Sequence, residues 1–329
     1  MICPKCQTTN PDNHRYCFEC GTRLGERQRR TRAKGSVRDL MARGVALFNE
    51  GNFRSALEEF KMGATLDPAH ELSHLYGAAC NLALGEMGPA REAVKRAIEL
   101  NPRLQGANFL MGFLEALEEE RLKACEHLSK CYELNPEFAL SLQWAGSLLI
   151  EDGKFSRAKP IVEKLLSKKP DSPAAYYMSG VLALEDSDLS SAVSLLEKAV
   201  ELLGDFTAAH RKLAEAYRKL GNKDKAALHY RKVIESDKTD ADSIFQLGVI
   251  LSDLHEVDKA IKMFRRALVL NPAFAEAHYQ IGLLLYVDKG AIDEALVELK
   301  KALELDPTDP STRLILGELL YVKKGMEGK

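Results

Sequence analysis

Two cysteine pairs stand at the start of the chain: Cys3-Pro-Lys-Cys6 and, ten residues on, Cys17-Phe-Glu-Cys20. Four thiolates in two CxxC pairs have the spacing of a tetrahedral zinc site, each pair wrapping the ion in a tight knuckle. Gly21, just after the second pair, suits the sharp turn that lets backbone N–H groups face sulfur. Four cysteines close the coordination shell and leave no position for a catalytic water, so the expected role of one bound zinc ion is structural. An iron centre doing redox work, or an unmetallated dithiol switch, are the alternatives that the same four residues admit. His14 lies in the loop between the pairs and is expected to be a solvated bystander.

The element that must position these cysteines is small. Residues 1–24 are too few to bury a core of their own, so the metal must supply the folding free energy, ~10–16 kcal/mol for structural zinc sites. The segment resembles the short zinc ribbons found at the start of many microbial proteins. Its ten-residue gap is shorter than in many zinc modules, and Gln7 stands where glycine is common, but neither departure removes a ligand. Residues 25–36 read as a tether, with the run Arg27, Arg29, Arg30, Arg32 and Lys34. Up to Ser36 the charge is +5, so the remainder of a chain with net charge −2 carries −7. As a tether this run is solvated; as a patch it would meet nucleic acid, an acidic partner or an anionic membrane surface.

From residue 37 a different pattern takes over. Alanines recur every 34 residues, at Ala56, Ala90, Ala124, Ala158, Ala192, Ala226 and Ala260, with Ala295 one residue late. Twelve residues before most of them stands a small residue (Gly44, Ala78, Gly112, Gly146, Gly180, Ala214, Gly248), and Gly282 precedes the late one. Four residues after each comes a large apolar side chain, Phe60 through Leu299, and twelve after comes proline, except at Gly204 and Lys238. Glycine inside a helix costs roughly 1 kcal/mol against alanine, so its recurrence implies two helices in close approach. Proline ends each unit, because the residue before it avoids the α region and its own fixed φ suits the next helix's first turn. Each unit therefore reads as helix A, turn, helix B, turn.

These residues resemble the tetratricopeptide repeat over 37–308, more than four-fifths of the chain. The stretches GNFRSALEEFKMGATLDP and DKAIKMFRRALVLNP fit that pattern closely. The resemblance implies an all-α fold: a superhelical solenoid of eight helix-turn-helix repeats behind a small N-terminal zinc ribbon. One extra residue near Asp288–Gly290 falls in a turn of the eighth repeat and should leave both helical registers intact. Residues 309–329 hold a lone capping helix and tail, with the helix expected over 312–322.

In such arrays helix A lines the concave side, and a partner segment is expected there. Stepping along helix A at helical spacing marks Leu75, Phe109, Phe113, Gln143, Tyr177, Val181, Arg211, Arg218, Phe245, Tyr279 and Tyr286 as the groove. An apolar, aromatic groove suits an amphipathic helix or an extended apolar peptide, with Arg211 and Arg218 placed for a carboxylate. Met41 and Val45 stand where chaperone-tail binders carry polar clamp residues, which disfavours that ligand.

No phosphate loop, nucleophile elbow or histidine–carboxylate metal signature is present, so neither an enzyme nor a small-molecule substrate is expected. His74, His210 and His278 share one phase of the period in separate repeats, which keeps them from converging. Trp144 reads as helix A packing, Glu118–Glu119–Glu120 as a solvated turn, and Cys80, Cys125 and Cys131 as buried inert thiols. No apolar run is long enough for a membrane span, and no secretory signal precedes Cys3, from which a cytoplasmic address is expected. The resulting expectation is a scaffold or adaptor for a protein or peptide segment, with the ribbon as a second contact surface. The rival is a nucleic-acid-associated factor that engages RNA or DNA through ribbon and arginines. The joints at Gly204 and Lys238, which lack proline, should be the softest of the array, read as the fastest hydrogen exchange; uniform protection across all joints would refute this.

Overall fold

In a computed structural model the chain is described at Thr8 and over residues 36–327, and these residues are helical apart from short turns. Cys3, Cys6, Cys17 and Cys20, and the basic residues Arg27, Arg29, Arg30, Arg32 and Lys34, lie outside the described residues. The chain divides into two compact units, at residue 152. The first holds α1 (Val37–Asn49), α2 (Phe53–Leu66), α3 (Glu71–Ala83), α4 (Met87–Leu100), α5 (Gln105–Leu117), α6 (Arg121–Leu134) and α7 (Leu140–Glu151). The second holds α8 (Phe155–Lys168), α9 (Pro173–Glu185), α10 (Leu189–Leu202), α11 (Thr207–Lys219), α12 (Lys223–Ser236) and α13 (Ala241–Asp253). It continues through α14 (Val257–Leu270), α15 (Ala275–Val287), α16 (Ile292–Leu305) and α17 (Pro310–Glu327). Odd-numbered helices are the A helices and even-numbered ones the B helices.

Within each unit every helix packs on its neighbours in sequence. A helices also touch the A helix of the next repeat (α1 with α3, α3 with α5, α9 with α11, α13 with α15), while B helices make no comparable contact with one another. Each stack is therefore tighter on its A side, which is the side a curved array turns inward.

The small residues of helix A do what their recurrence implies. A Cβ built on Gly44 would lie 2.5 Å from the Phe60 ring, and one on Gly112 2.9 Å from Leu128. In the second unit the same construction puts Gly180 2.6 Å from Leu196, Gly248 2.7 Å from Phe264 and Gly282 2.7 Å from Leu299. Real Cβ atoms do not approach so closely, so at these five glycines any larger residue forces the facing side chain or the helices to shift. The eight phased alanines on the B helices are wholly buried beside these contacts.

The turns repeat as faithfully as the helices. At the end of every B helix one residue is extended, with φ between −125° and −146°, from Asp67 to Asp306. Leu203 and Asp237 hold this conformation without a following proline. Asp237 fixes its turn through its own carboxylate, which accepts from Thr239 N at 2.8 Å, just as Asp67 accepts from Ala69 N at 3.0 Å. Leu203 has no such side chain, so the Gly204 joint lacks both devices.

The insertion in repeat eight sits in a four-residue turn, Asp288 to Ala291, and α15 and α16 keep the lengths of the other pairs. The last helix is longer than expected, running over Pro310–Glu327 because Pro310 opens it and Asp309 caps it, accepting from Thr312 N at 2.8 Å.

Between helices A and B one residue turns left-handed. At five turns it is glycine (Gly51, Gly85, Gly153, Gly221, Gly290), but at three it is Glu119, Ser187 or His255, with φ of 61°, 59° and 60°. A side chain in that region costs about 1 kcal/mol or more relative to glycine. Glu119→Gly, Ser187→Gly and His255→Gly should therefore each raise stability by about 1 kcal/mol in urea unfolding; unchanged midpoints would contradict this account of the turns.

Candidate partner-binding surface

In the first unit the A side presents a row of rings. Phe109 on α5 lies 5.9 Å from Trp144 on α7 and 5.3 Å from Phe138 in the preceding turn, and Phe113 lies 5.4 Å from Trp144, centroid to centroid. All are half-buried, held by one another yet open on one face, and Leu75 and Gln143 are half-buried with them. Trp144 thus packs as a helix A residue and also belongs to this open row. Phe138 was not marked by the groove spacing because it lies in a turn rather than on helix A.

In the second unit the expected groove divides. Tyr177 packs against Phe206 at 5.1 Å, Tyr279 is half-buried, and the half-buried Tyr286 donates its hydroxyl to Glu318 at 3.2 Å. Val181 and Phe245 are buried, contrary to their placement in the groove. Phe245 turns inward because Phe264 and Phe274 supply rings 5.3 and 4.6 Å away. Arg211 is exposed but already holds a carboxylate, with Asp240 at 2.6 Å, whereas Arg218 is exposed two turns further along α11. Of the two arginines expected to meet a partner's carboxylate, Arg218 is the one left open.

The phased histidines prove to be fasteners. At one register of helix A, polar side chains reach back to a carbonyl six residues earlier: His74 Nε2 to Pro68 O (3.1 Å), Asn108 Nδ2 to Pro102 O (3.2 Å) and His210 Nε2 to Gly204 O (3.0 Å). In three repeats the same residue also meets helix B, three residues after its alanine. The pairs are Asn108 with His127 (3.4 Å), His210 with His229 (Nδ1 to Nδ1, 3.0 Å) and His278 with Glu298 (2.6 Å). In the neutral tautomer whose Nε2 donates to Gly204, His210 Nδ1 accepts from His229 Nδ1. Tyr217 stacks on His229 at 5.8 Å and donates its hydroxyl to Glu197. Among the described residues no group of three or more His, Cys, Asp or Glu is placed to hold a metal ion. The second half of each fastener was legible only by reading the B helices at the same period.

Burial sets the electrostatics of these fasteners. Desolvation pushes His229 down to about 4, helped by His210. Glu115 on α5, buried beside His127, is pushed up to about 7, by desolvation first, against the pull of Arg91 and with Glu120 adding to it. The Cys80 thiol is pushed up to about 11 by burial, and Cys125 and Cys131 are buried too, which leaves these cysteines inert.

Sequence models of the tetratricopeptide repeat match residues 145–205, 183–247 and 241–274, a TPR repeat model matches 284–324, and a zinc-ribbon domain model matches 2–24. The chain is a tetratricopeptide repeat protein with an N-terminal zinc ribbon. Across 271 residues this repeat protein is 22% identical to the CTR9 homolog of Arabidopsis thaliana, spanning 79% of the chain but only a quarter of that relative. Among solved structures it is similar to the APC/C hetero-tetramer Cut9-Hcn1 (17% identity, 85% of this chain and 55% of that one, TM-score 0.55). It is also similar to YrrB, described as a TPR protein with an unusual peptide-binding site (24%, 61% and 99%, 0.52). A repeat protein from Parabacteroides merdae is a further match (17%, 76% and 98%, 0.54). At these identities the structures share the fold. No described helix of the repeat protein is long and apolar enough to cross a membrane.

The two shifted groups give opposite pH signs. Glu115 binds its proton more tightly folded than unfolded, so its contribution declines as pH rises from about 4.5 through about 7. His229 stays neutral when folded, so its contribution declines as pH falls from about 6.5 towards 4. Glu115→Gln should raise the melting temperature at pH 8 by roughly 3–6 °C relative to pH 5, and His229→Gln should flatten the acid limb below pH 6. Thermal scans from pH 4 to 8 check both, and parallel curves for wild type and variants would contradict the assignments.

Proposed function

We propose that this chain is a non-enzymatic protein-interaction scaffold that holds an apolar segment of a partner protein, an amphipathic helix or an extended peptide, on its A side. The observation that carries this reading is the open ring row of Phe109, Phe113 and Trp144, rigid aromatic surface of the kind that anchors bound peptides. In the second unit Tyr177, Tyr279 and Tyr286 with the open Arg218 would select a segment carrying an acidic residue.

Cys3, Cys6, Cys17 and Cys20 fit one zinc ion by donor chemistry, four thiolates in two CxxC pairs. The ion would supply the folding free energy of the ribbon, making it a second contact surface and the attachment bivalent. The segment Arg27, Arg29, Arg30, Arg32 and Lys34 favours a second reading, in which ribbon and tether bind nucleic acid while the repeats recruit protein. The proposed place of action is the cytoplasm, where thiols stay reduced.

Affinity capture with nuclease, using the full chain, a chain lacking residues 1–36, and the double variant Phe109→Ser/Trp144→Ser, separates these readings. The scaffold reading expects a nuclease-resistant protein retained by the truncated chain and lost from the double variant at unchanged helical circular dichroism. Retention of nucleic acid by the full chain alone, with steep salt dependence abolished by neutralising Arg27 to Arg32, would move the function to the ribbon and tether.

A further inference from the structure

Each B helix has a solvent stripe through four positions: two, five, six and nine residues after its phased alanine. On α4 the stripe is Glu92, Lys95, Arg96 and Glu99, and it neutralises itself, with Lys95 on Glu92 at 3.1 Å and Arg96 on Glu99 at 3.0 Å. On α10 Lys198 meets Glu201 in the same way, at 2.9 Å. The last three B helices depart from this. At the fifth and sixth positions they carry basic pairs: Arg231–Lys232 on α12, Arg265–Arg266 on α14 and Lys300–Lys301 on α16. Arg266 is half-buried and the other five are exposed, and no described carboxylate forms an ion pair with any of the six. The flanking positions add to the imbalance. On α14 they are Lys262 and Val269, so that stripe carries +3, while α12 and α16 keep one acid each, Glu235 and Glu304, and carry +1. The three stripes thus hold +5 within a repeat array whose total is −7.

This arrangement works against the helix that bears it. Lys262 stands three and four residues before Arg265 and Arg266, a spacing at which like charges destabilise a helix. One of these cations is also held in place: Arg266 donates to the carbonyl of Lys238 at 3.2 Å. Lys238 is itself exposed, in the turn after α12, and adds a cation to the row between α12 and α14. B helices lie on the looser, outer side of the stack, so the row is curved outward across three rungs. A planar bilayer meets the middle rung of such a row and leaves the outer two behind. A flexible chain with one charge per residue follows all three. The stripe positions hold no aromatic residue, so none of them stacks on a base, whereas guanidinium forks and ammonium groups suit phosphate oxygens.

We propose that the B side of α12, α14 and α16 is a docking surface for the phosphate backbone of single-stranded RNA, bound without regard to sequence. Its anchors are the three basic pairs with Lys262. The surface is separate from the A side, where a protein segment is proposed to bind, and it acts whether or not the N-terminal tether meets nucleic acid.

Fluorescence anisotropy of the full chain with a labelled oligouridine of about 20 nucleotides, from about 50 to 300 mM salt, tests this. The variant Lys262→Gln/Arg265→Gln/Lys300→Gln/Lys301→Gln should bind at least about tenfold more weakly at about 100 mM salt. Its log–log salt slope should be shallower by roughly 3, as the loss of four phosphate contacts requires. Its melting temperature should stay level or rise, because the like charges on α14 are gone. Lys95→Gln/Arg96→Gln, made in a self-neutralised stripe, should bind as wild type. Neutralising Arg27 to Arg32 should leave the effect of the four stripe substitutions in place. Oligouridine bound no better by wild type than by the stripe variant would overturn the proposal. Displacement of the RNA by polyglutamate at equal charge would assign the row to acidic protein instead, and stripe-dependent binding to phosphatidylserine vesicles without binding to RNA would assign it to membranes; either would overturn the proposal too.

Discussion

The structure depends on one steric fact: helix A carries only glycine or alanine where helix B inserts a large side chain. Phe60, Leu128, Leu196, Phe264 and Leu299 each occupy the volume that a Cβ on the facing glycine would take. That contact sets the separation of the two helices, and the separation sets where each helix must end and turn. A repeat unit cannot bury its remaining apolar surface alone, so the same geometry obliges the next unit to follow in register. Two compact stacks with near-identical helix lengths are the consequence.

The positions that obey this constraint were legible in the sequence, and those that obey only local surroundings were not. The alanine phase located every A and B helix because each phased alanine is buried against a neighbour of fixed shape. The left-handed residue in the A–B turn was hidden, because glycine marks it at Gly51, Gly85, Gly153, Gly221 and Gly290 while Glu119, Ser187 and His255 mask it elsewhere. In the groove, periodicity gives the direction of a side chain but not its depth. Val181 and Phe245 share the phase of open residues and are nevertheless buried, Phe245 because the next turn supplies Phe274. The paired CxxC spacing at the start of the chain, within the stretch that the zinc-ribbon model matches, is readable for a different reason: where four thiolates chelate one ion, chelation restricts their separation along the chain as packing does.

The titratable side chains at the phased register act as fasteners within a repeat. A polar group at a buried register must find a partner or lose the free energy of its desolvation. Asn108, His210 and His278 find theirs on helix B, and the first two also take the carbonyl that closes the preceding turn. At the Gly204 joint, which has neither proline nor an Asx side chain, His210 is the group that ties the turn down. Each fastener is local to its own repeat. Repetition therefore spaces these groups along the array.

What remains free to vary is the A side, and the two units use that freedom differently. The first sets phenylalanines and a tryptophan against one another with no charge among them. The second interposes a charged rung on α11, with Arg211 neutralised by Asp240 and Arg218 left to solvent, between tyrosine-bearing repeats. An exposed arginine keeps its hydration until a carboxylate replaces it, so in the proposed scaffold it would discriminate against apolar segments that the first unit would accept. A segment suited to one face is thus poorly matched to the other. In the scaffold proposed above, an apolar and an acidic stretch of one partner chain would satisfy the two faces, and the binding of each would raise the effective concentration of the other.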